Sequence, residues 1–289
     1  MEIITSLDLA GTGLHSGFSS RLKLGLRNGA SAPEPRFRFP GLGPISPAEL
    51  GRLPRQARRS TRLGEGESVI ATPEHLLAAL LFFSTLPLDV ECDASELPGL
   101  DGSALPYRDA LSRLAPGVAA SPAWREYPSD LGWEYHWSYG YIRVRPAARF
   151  RVLWHLDRPP LRQSFLLEDP ATAFREILPA RTFAFHREWR EASANGLMAG
   201  VGEDSGLLLA ESEAEYAEVL GLHPRWKGGP YPLLNLPGWR VENELAKHKI
   251  LDLLGDLALV DLSLPKLDIE IRNGGHHVNH LLVARLLAA

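Results

Sequence analysis

Residues 244–257 read ELAKHKILDLLGDL. Projected at 100° per residue, Leu245, Ala246, Ile250, Leu253, Leu254 and Leu257 sweep most of a helix surface, whereas His248, Asp252 and Gly255 share one narrow strip. A helix apolar over so wide an arc has to be covered by the rest of the fold. The polar strip has two readings. It is a solvated seam, for which a His and an Asp four residues apart need no special explanation. Or it is part of a metal site, because residues at i and i+4 point the same way and both side chains ligate a borderline ion such as zinc.

The covering elements are mixed in type. Short β-like runs come first, EIITSL, RLKLGL, PRFRF and ESVIA, separated by Gly, Pro and Asn signals. Thr72-Pro73 then predicts a helix start for TPEHLLAALLFF, with Thr72 as N-cap and Pro73 at the first helical position. Strand-like LPLDVEC, a Gly/Pro loop and helical YRDALSRL follow. The aperiodic, proline-bearing APGVAASPAW places a domain boundary near residue 122, giving domains 1–122 and 123–289. The second half repeats the grammar without the letters. GWEYHWSY, YIRVRP, FRVLWHL and QSFLL lead into PATAFREIL, ARTFAF, helical HREWREASA and strand-like SGLLLA. A long loop containing KGGPYPLLNLPG precedes the opening helix, after which come strand KLDIEI and helix HHVNHLLVARLL. Strands and helices mix without strict βαβ alternation, so the fold class is α+β in two domains.

Composition removes several function classes. Of 289 residues, 45% are apolar and 23% charged, as in an ordinary globular protein, and the formal charge of -4 provides no global field for nucleic acid or anionic lipid. A single cysteine, Cys92, supports neither a disulfide framework nor a cysteine-based zinc site. Any metal must therefore be held by His, Asp or Glu. The N-terminus lacks the features of a signal peptide and no run is long enough to span a membrane, so a cytoplasmic protein without a stable membrane anchor is expected.

Three ionisable clusters sit at element ends. Glu74-His75 falls in the opening turn of a helix, where Glu74 reads either as a plain helix-start carboxylate or as something more. His248 and Asp252 have Lys249 beside them and Asp256 a turn further on. GGHHVNH (274–280) presents His276 and His277 after two glycines, as a turn or as a site. Taken together, His75, His248 and Asp252 supply the three protein ligands usual for catalytic zinc and leave an open position. Glu74 then remains free, as the type of carboxylate that takes a proton from a metal-activated water. No G-x-S-x-G elbow, P-loop or H-E-x-x-H occurs.

Six stretches, AGTGLHSG (10–17), STRLGEGESVIATPEHLLAAL (60–80), ELPGLDGSALPY (96–107), ARTFAF (180–185), ENELAKHKILDLLGDL (242–257) and GGHHVNH (274–280), resemble the zinc-dependent UDP-3-O-acyl-N-acetylglucosamine deacetylases of lipid A biosynthesis. They stand in the family's order over nearly the whole chain. The resemblance implies two similar domains, each a mixed or antiparallel sheet backed by two helices, with the helix layers packed together in a β-α-α-β sandwich. It implies hydrolysis of the N-acetyl group of an acylated UDP-glucosamine, with the acyl chain allowing transient contact with the inner membrane surface; a monomer is expected. By matching position it implies Zn2+ on His75, His248 and Asp252, with Glu74 as general base. Thr182 is then an oxyanion partner, His276 the protonated group that serves the leaving amine, Asp256 its hydrogen-bond partner, and Lys249 a substrate-facing cation. Departures are Pro73 for Val, Ala184 for Gly, Gly200-Val201-Gly202 for Gly-Gly-Ser and Asn273 for a basic residue, with Arg272 next door. These bear on the acyl-chain passage and on diphosphate binding. They leave two rivals: the same chemistry on another N-acetylated sugar, and a non-catalytic sugar-nucleotide or lipid-binding relative.

Overall fold

A computed structural model describes residues 5–27, 34–57, 59–118, 121–159, 161–202, 204–212, 214, 215, 217 and 238–289. The first half contributes strands β1 (Ser6–Thr12), β2 (Ser19–Leu26), β3 (Arg36–Phe39), β4 (Leu42–Ile45), β5 (Arg55–Ala57), β6 (Thr61–Glu65), β7 (Ser68–Ala71) and β8 (Leu88–Cys92). Its helices are α1 (Pro47–Leu50), α2 (Glu74–Leu80) and α3 (Leu105–Leu114). The second half contributes β9 (Ala123–Arg125), β10 (Trp133–Trp137), β11 (Gly140–Pro146), β12 (Arg151–Arg158), β13 (Leu161–Leu167), β14 (Phe183–Phe185), β15 (Leu207–Leu209), β16 (Ser263–Pro265) and β17 (Leu267–Arg272). Its helices are α4 (Pro170–Thr172), α5 (His186–Ala194), α6 (Glu244–Leu257) and α7 (His276–Ala288).

Two five-stranded sheets form, in the orders β1-β2-β8-β3-β4 and β10-β11-β17-β12-β13. Their pairings correspond step for step. In each, the last-arriving strand lies in the middle, antiparallel to the second strand and parallel to the third. Alternation explains which faces are buried: Ser20, Leu22 and Leu24 of β2, and Leu267, Ile269 and Ile271 of β17, point inward while their neighbours do not. Helix α3 lies on β1 and β2, and α6 lies on β12 and β13. Helices α2 and α6 pack against each other between the sheets, and the apolar residues of both halves join in one core. The α+β class and the sheet-helix-helix-sheet layering expected from the sequence are therefore present.

Helix α6 is buried almost all round, from Leu245 at one end to Leu257 at the other, which is why its sequence is apolar over so wide an arc. Local readings need some corrections. Thr72 is not an N-cap. It adopts a left-handed φ of 57° and donates its hydroxyl to Glu96, and the helix begins at Glu74. The chain then tightens into a 3-10 turn at Leu81–Phe83. The first strand runs over SLDLAGT and not EIITSL, of which residues 2–4 lie outside the described residues. Helix α3 starts two residues before Tyr107, where Ser103 Oγ accepts from Leu105 N. PATAFREIL forms a short α turn, capped by Asp169, that runs into a π-helical segment at Ala173–Ile177. The KGGPYPLLNLPG stretch lies outside the described residues except for Gly238.

Candidate metal centre and active site

The close packing of α2 on α6 builds the site. Gly255 sits where α6 touches the first turn of α2: a Cβ there would lie 2.0 Å from the Glu74 carbonyl oxygen and 2.6 Å from its carbon. With no side chain in the way, the backbones approach, and His75 of α2 comes beside His248 and Asp252 of α6. All three are buried, and their ligand atoms lie within 4.8 Å of one another. Asp252 Oδ1 is 3.2 Å from His248 Nε2 and 3.7 Å from His75 Nε2. The two imidazoles meet edge to face, with centroids 5.2 Å apart.

Such a cluster fits a small divalent ion. With metal–ligand bonds of about 2.0–2.2 Å, tetrahedral donors stand about 3.3–3.6 Å apart, close to the spacings found. Ring orientation agrees. His248 Nδ1 is 3.1 Å from the Ala180 carbonyl, and donating a proton there leaves the Nε2 lone pair facing the cluster. Burial pushes His248 below its ordinary pKa despite Asp252, so the ring is neutral and able to ligate. Burial works against ionised Asp252, but neighbouring positive charge, Lys249 and His276 included, outweighs it and holds the carboxyl well below the usual range. The seam therefore faces inward, and the solvated-strip reading of α6 is excluded by the burial of His248 and Asp252.

Glu74 lies alongside. Its carboxylate takes weak 3.4 Å contacts from the Thr61 N–H, and Glu74 Oε1 is 3.6 Å from His276 Nε2. Burial, with Asp256 and Asp252 adding to it against the opposing pull of His276, raises Glu74 to about 8. That is the range of a base working near neutral pH. His276 stands at the start of α7, with Nε2 3.8 Å from Asp252 Oδ2. Its other nitrogen donates to Asp256 Oδ2 at 2.9 Å. Burial disfavours the imidazolium, yet Asp256, Asp252 and Glu74 together raise His276 to about 9. At pH 7 the ring is protonated, with one N–H fixed on Asp256 and the other turned toward Glu74 and Asp252.

Lys249 donates to Asp252 Oδ2 at 2.9 Å and lies over the Phe183 ring. A cavity of about 340 Å3 collects Glu74, His75, Thr182, His248, Lys249, Asp252 and His276 on its walls. Every site residue expected from the sequence thus borders it except Asp256, which lies behind His276. A second cavity of about 340 Å3 shares Leu14, His15, Arg59, Thr182 and Phe183 with the first and continues among apolar side chains. Ala184, Val201 and Gly202, three of the departures noted above, line it. Asn273, another departure, is used internally: it receives Asp157 N–H and donates to the Tyr139 and Asp157 carbonyls. Arg272 is paired with Asp157.

Three supporting groups escaped the sequence reading. Glu96, buried, receives the His15 and Ser16 N–H groups at 2.8 and 2.7 Å, so the GTGLHSG segment is a loop pinned on a carboxylate. Glu244, fully buried, grips Arg181 through its N–H and guanidinium, and so fixes the strand-end segment carrying Ala180 and Thr182. Thr61 donates its hydroxyl to Asp256. These contacts join residues 63 to 195 positions apart, and no local signal encodes them.

The family profile described as UDP-3-O-acyl N-acetylglycosamine deacetylase matches residues 2–221 and 229–288. A relative from Anaeromyxobacter dehalogenans, named UDP-3-O-acyl-N-acetylglucosamine deacetylase, is 32% identical over 96% of this chain and 84% of its own length. Proteins of the same name from Trichormus variabilis and Nitratiruptor are 30% and 28% identical over 96% and 98% of the chain, covering 94% and 88% of theirs. This chain belongs to the UDP-3-O-acyl N-acetylglycosamine deacetylase family.

Proposed function

We propose that the protein is a zinc-dependent hydrolase that removes the N-acetyl group of UDP-3-O-acyl-N-acetylglucosamine, releasing acetate and the free amine in lipid A biosynthesis. The single observation that carries the reading is the meeting of three buried potential ligands, His75, His248 and Asp252, with the buried Glu74 carboxylate and the His276 imidazole on one cavity wall. His75, His248 and Asp252 hold the ion, which when bound polarises the acetamide carbonyl and brings its water to a pKa of about 7. Two imidazoles and one carboxylate are a donor set suited to zinc.

The chain's own groups do the rest. Glu74 takes a proton from the attacking water as the C–O bond forms. Thr182 and protonated His276 face the oxygen on which negative charge collects. When the C–N bond breaks, His276 Nε2 gives its proton to the leaving nitrogen, and Asp256 keeps the ring oriented through Nδ1. Each positioned acid or base contributes roughly 10²- to 10⁴-fold. Lys249 offers its ammonium to the substrate at the cavity wall. The adjoining apolar cavity suits the 3-O-acyl chain, and Leu14, Phe183 and Thr182, shared by both cavities, place its entrance beside the reacting amide.

In this reading the chain works as a cytoplasmic monomer of two domains meeting near residue 122, with Glu74 and His75 from the first and the remaining groups from the second. No described helix is long and apolar enough to cross a membrane, and substrate is met at the membrane surface only in passing. The test joins metal analysis to assay. Purified protein should hold about one zinc per chain and release acetate from the acylated sugar nucleotide. His248→Ala should lose both, and Glu74→Ala should keep the metal and lose turnover. Wild-type protein that binds no zinc, or that is indifferent to the 3-O-acyl chain, overturns the reading.

A further inference from the structure

Asp256 is fully buried, and its two oxygens are shared among four side chains. His276 Nδ1 and Asn279 Nδ2 each donate to Oδ2 at 2.9 Å. Thr61 donates to Oδ1, and His280 Nε2 stands 3.6 Å from the same oxygen. An ionised carboxylate only accepts, so the single hydroxyl proton of Thr61 is committed to Asp256. The Thr61 oxygen is then left as an acceptor. The atom facing it at 2.8 Å is His280 Nε2, which must carry the proton. A directed chain results, His280 Nε2–H to Thr61 O–H to Asp256, where it meets the bond donated by His276 Nδ1–H.

This chain leaves the cleft. His280 is nearly buried, with 11% of its side chain exposed, and it lines a separate cavity of about 480 Å3 with Gly51, Leu53, Arg55 and Leu281. It belongs to the GGHHVNH stretch, yet of that stretch only His276 has a place in the chemistry. Thr61, the link, is fully buried at the first position of β6. Rotation of its hydroxyl away from Asp256 would strip one hydrogen bond from the carboxylate and turn the proton toward His276 Nδ1–H, a donor 3.2 Å away that cannot accept it, and so loosen the ring.

We propose that His280 is a positioning residue: by donating to Thr61 it aims the Thr61 hydroxyl at Asp256 and so fixes the orientation of His276 from outside the cleft. The inference rests on the reading of His276 as the acid of the deacetylation. A residue that merely seals the end of α7 would be replaced without kinetic effect by any side chain of equal bulk. A positioning residue is replaced only by another donor.

The test uses the full-length, zinc-loaded chain and the acylated sugar nucleotide. His280→Leu and Thr61→Val should each lower kcat roughly 10-fold with KM and metal content unchanged. His280→Gln, which keeps a donor at similar reach, and Thr61→Ser should recover most of the loss. The Leu/Val double variant should be no slower than either single one, because both cut the same chain. A second readout needs no turnover: in nitrogen-15 histidine spectra His280 should carry a slowly exchanging proton on Nε2, and Thr61→Val should make that proton exchange fast. Wild-type kcat in His280→Leu, additive losses in the double variant, or a His280 protonated on Nδ1 alone overturns the proposal. A wild-type chain that releases no acetate brings down the deacetylase reading, and the Nε2 proton then decides the chain separately.

Discussion

Gly255→Ala is the sharpest test of how α2 and α6 make the site. By helix propensity alone the change stabilises, by about 1 kcal/mol. The structure predicts the opposite sign. The new methyl carbon would lie 2.6 Å from the Glu74 carbonyl carbon and 2.7 Å from its Cα, about 1 Å inside an ordinary carbon–carbon contact. The obstacles are backbone atoms within a buried helix pair, so no side chain can swing away. Relief requires α2 to move off α6, and overpacking of this type costs about 1–3 kcal/mol or more. Net destabilisation of up to about 2 kcal/mol lowers the melting temperature by as much as roughly 8 °C. The same displacement moves Glu74 and His75 away from His248 and Asp252. A misplacement near 1 Å costs on the order of 10²-fold in rate, so activity should fall much further than stability. Differential scanning calorimetry and steady-state kinetics on the metal-loaded protein measure the two effects. An alanine variant as stable as wild type with full turnover would refute the close approach on which the site is built.

Two further predictions concern charge. The proposed reaction needs Glu74 ionised and His276 protonated. Activity should therefore rise as pH climbs through the raised value of the carboxyl, about 8, and fall as pH passes that of the imidazolium, about 9. A bound divalent ion favours ionised Glu74 and disfavours charged His276, so it moves both limbs toward lower pH. The profile of kcat/KM should be bell-shaped, and His276→Gln should remove the alkaline limb; an unchanged limb would assign it elsewhere. Separately, Glu244→Gln leaves the buried Arg181 guanidinium without its anion. The expected loss is about 3–5 kcal/mol by denaturant titration, and a loss under about 1 kcal/mol would show that Arg181 finds another partner.

The sequence makes the fold legible where burial has a period. RLKLGL and KLDIEI alternate because each covers a core on one face only, and ELAKHKILDLLGDL is apolar nearly all round because it lies between layers. Thr72-Pro73 misleads for a physical reason. The Thr hydroxyl is claimed by Glu96 across the fold, and its backbone makes a left-handed corner, so tertiary contacts override a local capping signal. Of the site, the pairing of His248 with Asp252 is legible because i, i+4 geometry is local, and Glu74-His75 joins them by the chemistry of the donor set. Thr182, His276, Asp256 and Lys249 came from resemblance. Glu96, Glu244 and Thr61 came from neither, because a buried carboxylate or hydroxyl is identified by its partner, and these partners come from distant strands and loops.

The two sheets share one order of pairing, and α2 and α6 occupy corresponding places in it, each the last α-helix before the middle strand of its own sheet, with the short β16 intervening after α6. Neither repeat holds a complete set of working groups. One brings Glu74 and His75, and the other brings His248, Asp252 and His276. The cluster of His75, His248 and Asp252 is consequently a property of the seam and of neither repeat alone. Any breathing motion that parts the repeats disassembles ligands and base together, so catalytic competence doubles as a sensor of whether the molecule is shut.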